Sequence, residues 1–344
     1  MSIGMNTIYP WQTGLWQSLC HLSQQKRLPH ALLLAAPQGL GKAHFARQFA
    51  AWRLCEQPGE QGVCGVCRSC QLLSTGHHPD LLWVSPDEED EKGTKASKVI
   101  KVAQVRTVVE FATQSAHRQG GQRIVVLEPA DALNTASANA LLKTLEEPGR
   151  DSLFLLLTDK PAALLPTVRS RCQLLPMPLP APEQALAWLR TQVQPPEMAE
   201  TLLELARGAP LAAAALQAQP WFSARADLLV DLLAVAQTRL MPLQAAQRWQ
   251  KLDAGEQALA WQSLLDDAVP GALVADYPTR HSDLRSEMAA LLAAVSVQAL
   301  LNTLYEIVEA RRLLGTSVQP QAILEGLWLH WGRETRQKRG SHAG

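Results

Sequence analysis

Four short stretches ahead of residue 160 are dominated by aliphatic side chains: 30–36 (HALLLAA), 81–85 (LLWVS), 123–127 (RIVVL) and 153–158 (LFLLLT). None alternates apolar with polar residues, so each reads as a strand buried on both faces. A further stretch, 172–175 (CQLL), is a candidate fifth strand. Helical spacing fills the intervals between them. From Lys42 to about Leu54, Phe45, Phe49 and Trp52 fall roughly one turn apart. From Val99 to about His117, Val102, Val105, Val108, Val109 and Ala112 mark one face. In 135–147 (TASANALLKTLEE), Ala138, Leu141, Leu142 and Leu145 do the same, and Pro148 stands where a helix stop is expected. Wholly apolar strands alternating with helices predict an α/β fold, a parallel sheet with helices on both faces.

That pattern ends at 174–184 (LLPMPLPAPEQ), whose four prolines make a natural linker. Three short helices are expected over 182–218, with Gly208 closing the second. From Trp221 onward no strand pattern occurs. Leu/Ala-rich stretches such as ARADLLVDLLAVAQ and VQALLNTLYEIVEARRLL predict a helical bundle. The ending GRETRQKRGSHAG is basic and polar and is expected to fray. The charged stretch 86–98 (PDEEDEKGTKASK) reads as an exposed connector. No internal repeat is present.

The 344 residues carry 32 acidic and 32 basic side chains, so bulk charge does not point to a nucleic-acid-coating role. No apolar run approaches the ~18 residues that cross a bilayer. The first twenty residues lack the apolar core of a signal peptide, and the expectation is an intracellular, soluble protein. Of six cysteines, Cys55, Cys64, Cys67 and Cys70 crowd together with C-x8-C-x2-C-x2-C spacing. In a reducing compartment that crowding argues for metal rather than disulfides. Gly62 and Gly65 supply tight turns, and four thiolates make a closed, structural tetrahedral zinc site. Iron–sulfur ligation is an alternative that suits this spacing less well. His77 and His78 lie close enough in sequence to substitute a ligand.

The stretch 32–50 (LLLAAPQGLGKAHFARQFA) has the layout of a phosphate-binding loop between strand and helix. Gly39, Gly41 and Lys42 keep its later half, where backbone N–H groups and a lysine meet a phosphate. Ala36 replaces the first glycine, and Ala43 replaces the hydroxyl that binds Mg²⁺. In 124–131 (IVVLEPAD) an acid, Glu128, follows the strand, but Pro129 occupies the place of a water-orienting carboxylate. Both metal ligation and water activation are therefore expected to be impaired. RSRC at 169–172 is either a pair of surface arginines or an arginine finger offered to a neighbouring subunit's nucleotide.

RLPHALLLAAPQGLGKA, the four-cysteine knuckle, NALLKTLEEP and LPTVRSRCQ, in this order, resemble the AAA+ clamp-loader subunits of bacterial DNA polymerase III. The resemblance is close over roughly 9–218 and weak beyond. It implies an AAA+ RecA-like domain over 1–179 with a zinc knuckle at 55–70, and a three-helix lid at 180–219. It further implies a helical collar for oligomerisation at 220–335 and a disordered basic tail at 336–344. It makes Arg171 the arginine finger acting in trans, Lys42 the loop lysine, and Glu128 and Pro129 the altered Walker B pair. Thr158 falls at the sensor-1 position, Leu211 stands where the sensor-2 arginine belongs, and Cys55, Cys64, Cys67 and Cys70 are zinc ligands. The implied role is a non-catalytic stator that binds nucleotide weakly or not at all through Gly39, Gly41 and Lys42. The implied partners are motor (gamma/tau) and delta subunits in a hetero-pentamer, the sliding clamp, and primed DNA through the complex, in the bacterial cytoplasm.

Two other classes compete. An ATP-hydrolysing motor subunit of the gamma/tau type would share the loop, but residues 36, 43, 129 and 211 speak against it. A zinc-knuckle nucleic-acid binder would share the cysteines, yet the knuckle offers one arginine, Arg68, and no stacking aromatic.

Overall fold

A computed structural model describes residues 8–60, 62–87, 98–118, 121–149, 151–316 and 318–340. The chain divides into two compact units, Met1–Gln184 and Ala185–Gly344. The division falls at the C-terminal end of the four-proline stretch. Pro182 to Gln184 are exposed there, while Ala185 and Leu189 enter a helical core.

The first unit opens with a helix, α1 (Thr13–Gln24), followed by β1 (Ala31–Ala35), α2 (Lys42–Leu54), α3 (Arg68–Ser74), β2 (Leu81–Val84) and α4 (Val102–Thr113). Then come β3 (Arg123–Leu127), α5 (Thr135–Glu146), β4 (Ser152–Thr158), α6 (Pro166–Arg169) and β5 (Gln173–Pro176). The strands form one parallel sheet in the order β2-β3-β4-β1-β5. In register, Leu33 pairs with Leu156 and Leu127 with Leu156, so alternate residues stack in rows. One face of the sheet (Leu33, Val125, Leu127, Phe154, Leu156) packs on Val105, Val108 and Ala112 of α4 and on Ala138, Leu141 and Leu145 of α5. On the α2 side, Trp16 of α1 meets the edges of Phe45, Phe49 and Trp52, each at a centroid distance of 6.0 Å. The expected α/β architecture is present.

Three differences from the sequence reading have local causes. Helix α1 adds to the sequence reading; Trp16, Leu19 and Cys20 bury one stripe, flanked by half-buried Leu15 and Leu22. Helix α4 is shorter than 99–117. The Gln104 side chain accepts from the Lys101 backbone N–H (2.8 Å) and caps its start, and Ile100 instead makes a parallel bridge to Leu133. Helix α3 begins inside the cysteine cluster, with Cys67 as its N-cap. Most of the charged connector (88–97) lies outside the described residues.

The second unit is helical among its described residues: α7 (Pro182–Leu189, which begins in the linker), α8 (Ala199–Leu205), α9 (Pro210–Leu216), α10 (Pro220–Ala236) and α11 (Pro242–Trp249). They are followed by α12 (Ala254–Leu273), α13 (Arg285–Ala294), α14 (Val297–Leu314) and α15 (Pro320–Gly340). Trp261 packs edge-on against Trp328 (4.8 Å) and Trp331 (6.0 Å) at its centre. The Trp331 indole donates to the Leu232 carbonyl (2.9 Å). Side chains from the expected lid and collar segments contribute to one core cluster, for example Leu189, Leu202, Leu229 and Leu264. Helix α15 runs on to Gly340, past the point where a disordered tail was expected to start, because Leu327, Trp328 and Trp331 anchor it; residues 341–344 lie outside the described residues. Among the described residues no single helix is long and apolar enough to cross a membrane. A bent pair, 282–294 with 297–314, passes on length and composition, and it contributes Met288, Leu291 and Leu300 to the core.

Candidate functional site

The turn from β1 to α2 places Gly39 (φ 87°) and Gly41 (φ 82°) in left-handed conformations that side chains resist, and Gly41 caps α2. Lys42, the first helical residue, is buried. Its ammonium donates to the carbonyls of Ala36 (2.8 Å) and Pro37 (3.0 Å) and forms an ion pair with Asp159. An ammonium has three N–H donors, so these three acceptors fill its capacity. The loop is braced from the opposite direction too. The Gln12 amide donates to the carbonyls of Leu40 (2.9 Å) and Gly41 (3.0 Å), and the Trp11 indole donates to Leu40 (3.0 Å). Tyr9 stacks on Trp11 (4.9 Å) and lies against His44 of α2 (4.8 Å).

The polar groups at the C-terminal ends of the neighbouring strands are likewise paired within the chain. Glu128, after β3, accepts from the Trp83 indole (3.1 Å), and the Arg47 guanidinium sits over that ring at 4.8 Å. Thr158, at the end of β4, is fully buried; its hydroxyl donates to Asp131 (2.7 Å) and accepts from the Lys160 N–H (3.0 Å). Leu211 is half-buried in the first turn of α9. Lys42, Glu128 and Thr158 thus share one edge of the sheet. Asp159, Gln12 and Trp11 complete it, and no phosphate-loop template would have pointed to them.

The four knuckle sulfurs lie within 4.8 Å of one another. The Cys55–Cys67, Cys64–Cys70 and Cys55–Cys70 separations are 4.0, 3.9 and 3.7 Å. A tetrahedron with metal–sulfur bonds of about 2.3 Å has edges of roughly 3.8 Å, so the set fits a metal ion. Backbone N–H groups of Cys64, Cys67 and Cys70 point at the sulfurs of Cys55, Cys64 and Cys67 (3.3, 3.4 and 3.4 Å). Hydrogen bonds from the Val66 and Cys67 backbones bring the Cys64 thiol down to about 6, whereas burial pushes Cys55 and Cys70 up. The histidines next door are not part of the set. His77 is exposed. His78 is buried; its Nδ1 accepts from the Asp80 N–H (3.0 Å), so Nε2 carries the proton and donates to Ser69 Oγ of α3 (2.9 Å). Burial also lowers its affinity for a further proton. His78 therefore holds the knuckle helix against the start of β2.

Arg171 lies elsewhere. It precedes β5, as α5 precedes β4, and so it stands at the N-terminal edge of a parallel sheet whose C-terminal edge carries the β1–α2 loop. Its guanidinium is partly exposed. Nε donates to Glu146 (2.7 Å), Nη2 to the same oxygen, and Nη1 to the Thr167 carbonyl (2.9 Å) and Ser170 Oγ (3.3 Å). Arg169, its partner in RSRC, is exposed.

Family profiles and curated relatives agree on a single family. A profile described as DNA polymerase III, delta subunit, matches residues 11–180, and one described as DNA polymerase III, delta subunit, C terminal, matches 219–333. The chain is 41% identical over 247 residues to the DNA polymerase III subunit delta′ of Pseudomonas aeruginosa, covering 71% of this chain and 72% of that protein. It is 38% identical over 215 residues to the subunit of the same name from Escherichia coli, with 62% of each covered. Among solved structures, a DNA polymerase III gamma subunit-related protein of Thermotoga maritima is 14% identical with a TM-score of 0.48, covering 92% of this chain and 99% of that one.

Proposed function

This chain belongs to the DNA polymerase III delta′-subunit family, and on that premise we propose that it is the non-catalytic stator of the clamp loader. It is a component of the polymerase holoenzyme rather than an ATPase in its own right. The delta′ names of its relatives favour this reading over an ATP-hydrolysing motor subunit of the gamma/tau type.

The observation that carries the reading is the placement of two cations on opposite edges of one sheet. The β1–α2 loop is at the C-terminal edge and Arg171 at the N-terminal edge. A five-residue strand such as β1 separates those edges by about 17 Å. Arg171 therefore serves a nucleotide held by a neighbouring chain, stabilising the charge that develops on the transferred phosphoryl group. The sequence carries no hydroxyl at Ala43, no carboxylate at Pro129 and no arginine at Leu211. The one cation that a phosphate would need, Lys42, is already saturated by the chain's own acceptors. Gly39, Gly41 and Lys42 are read as an inherited fold element with weak nucleotide affinity at most.

The proposed partners are motor subunits of the gamma/tau type and a delta subunit in a hetero-pentamer, together with the sliding clamp and, through the complex, primed DNA in the bacterial cytoplasm. Within that assembly the RecA-like portion (1–179) presents Arg171, residues 180–219 act as the lid, and residues 220–335 form the collar that carries oligomerisation. The knuckle cysteines are proposed to hold structural zinc. When bound, zinc ties the segment after α2 to the start of α3, and four sulfurs leave no open position for catalysis. Metal analysis should find about one zinc per chain, and chelation should lower stability; a metal-free protein of equal stability would contradict the structural role. Reconstitution tests the stator reading. The isolated chain should show background ATP turnover that Lys42→Ala leaves unchanged, while an assembly with motor subunits hydrolyses ATP. Turnover by the isolated chain that Lys42→Ala abolishes would contradict it.

A further inference from the structure

Arg171 is not a loose surface side chain, and what orders it is specific. Glu146, 25 residues earlier, takes both Nε and Nη2 on one carboxylate oxygen, and the Thr167 carbonyl takes Nη1. Both backbones are fixed. Leu141 and Leu145 of α5 and Val168 of α6 share the buried core under the sheet. The Leu145 carbonyl also accepts from the His30 ring at the start of β1 (2.9 Å).

Neither fold stability nor helix chemistry accounts for a carboxylate at position 146. Exposed ion pairs contribute little to folding, and the Glu146 side chain is about half exposed (48%). Glu146 is the last residue of α5, where the helix dipole disfavours negative charge. Its effect is on the arginine. A free arginine side chain samples many rotamers, and ordering it on arrival of a ligand is unfavourable. With the Nε–Nη2 edge on Glu146, that cost is met before any phosphate arrives. Carboxylate and phosphate oxygens are alternative acceptors for the same forked donor.

We propose that Glu146 is a positioning residue for Arg171: it holds the guanidinium ordered in the free chain and yields it, in whole or part, to a phosphate of the neighbouring chain's nucleotide. The proposal rests on the reading of Arg171 as a trans-acting group and gives the LLKTLEEP and SRC stretches one shared task.

The test uses the full-length chain assembled with motor subunits, comparing Glu146→Ala, Glu146→Gln, Arg171→Ala and the double variant Glu146→Ala/Arg171→Ala. Glu146→Ala should lower kcat for ATP hydrolysis about tenfold, with KM for ATP unchanged. Glu146→Gln, whose amide oxygen still accepts, should recover most of that loss. The double variant should match Arg171→Ala alone, since Glu146 acts through the arginine. In the free chain, the Arg171 Nε–H resonance should be protected from exchange in wild type and Glu146→Gln and lose that protection in Glu146→Ala. Wild-type hydrolysis by Glu146→Ala beside an impaired Arg171→Ala overturns the positioning role and leaves the trans-acting arginine intact. Wild-type hydrolysis by Arg171→Ala removes both. A double variant slower than Arg171→Ala overturns the positioning role by showing that Glu146 acts through another route.

Discussion

Lys42 and Arg171 are both cations aimed, by sequence pattern, at phosphate, and the fold treats them in opposite ways. Lys42 is 9% exposed and has all three donors committed inside the chain, two to loop carbonyls and one to Asp159. Arg171 is 32% exposed and rests on a carboxylate that is itself open to solvent. A buried cation with saturated donors is a structural part, because removing it strands acceptors that water reaches poorly. A partly exposed cation on an exchangeable partner is available to another molecule. The contrast teaches that a phosphate-loop pattern reports where strand meets helix, and that a cation's availability to another molecule depends on how exposed and exchangeable its partners are.

The largest effect should come from Arg171→Ala. Hydrolysis at the adjoining motor site should fall about 10³-fold, while the unfolding midpoint in urea barely moves, since an exposed pair is worth less than about 1 kcal/mol. Lys42→Ala should do the reverse, with a loss of about 2–3 kcal/mol in urea unfolding and no change in assembled hydrolysis. Asp159→Asn should be milder, near 1 kcal/mol in stability, and it should sharpen the contrast. With one acceptor weakened, Lys42 becomes available, and titration with a fluorescent ATP analogue should show tighter binding than wild type by about tenfold. No gain would mean that Asp159 does not compete with anions.

The smallest effect lies in the helical unit, where polar groups are sealed as Lys42 is. His281 is fully buried; its N–H donates to Asp267 (3.0 Å), its ring meets Ser263 (3.2 Å), and Arg225 and Asp283 lie nearby. Burial holds its pKa below the ordinary histidine value. The unfolded chain therefore binds the proton more readily, so stability is full above about pH 6.5 and declines as pH falls below it. Burial alone would raise Asp267, but hydrogen bonds from Thr279, His281 and Arg280 outweigh it and hold it low, so its contribution fades only at more acid pH. Urea midpoints between pH 5 and 8 should slope downward toward acid, and His281→Gln should flatten that slope.

Much of this was legible in the sequence for a physical reason. Strands buried on both faces must be apolar throughout, so 123–127 and the other runs announced themselves, and Lys42–Leu54 followed from its aromatic spacing. The four cysteines were legible because a cluster able to hold a metal ion needs ligands of one type at short spacing. Helix α1 carried its signal in Leu15, Trp16, Leu19, Cys20 and Leu22, but with Gly14 near its start and no strong cap it lacks a clear boundary signal. The long-range pairings at the two sheet edges left no sequence trace. Lys42 with Asp159, Glu128 with Trp83 and Arg171 with Glu146 join residues that only the β-α-β crossovers bring together. The role of His78 was obscured for a similar reason, since a histidine beside cysteines reads as a ligand until its ring is seen bonded to Ser69 and Asp80.

One experiment bears most directly on the opposed roles proposed for the two cations: Lys42→Ala and Arg171→Ala, each assembled with motor subunits, assayed side by side for ATP hydrolysis and for urea unfolding of the free chain. The expected result is a double dissociation, with hydrolysis lost only in Arg171→Ala and stability lost only in Lys42→Ala. Hydrolysis that depends on Lys42 and not on Arg171 would contradict the account.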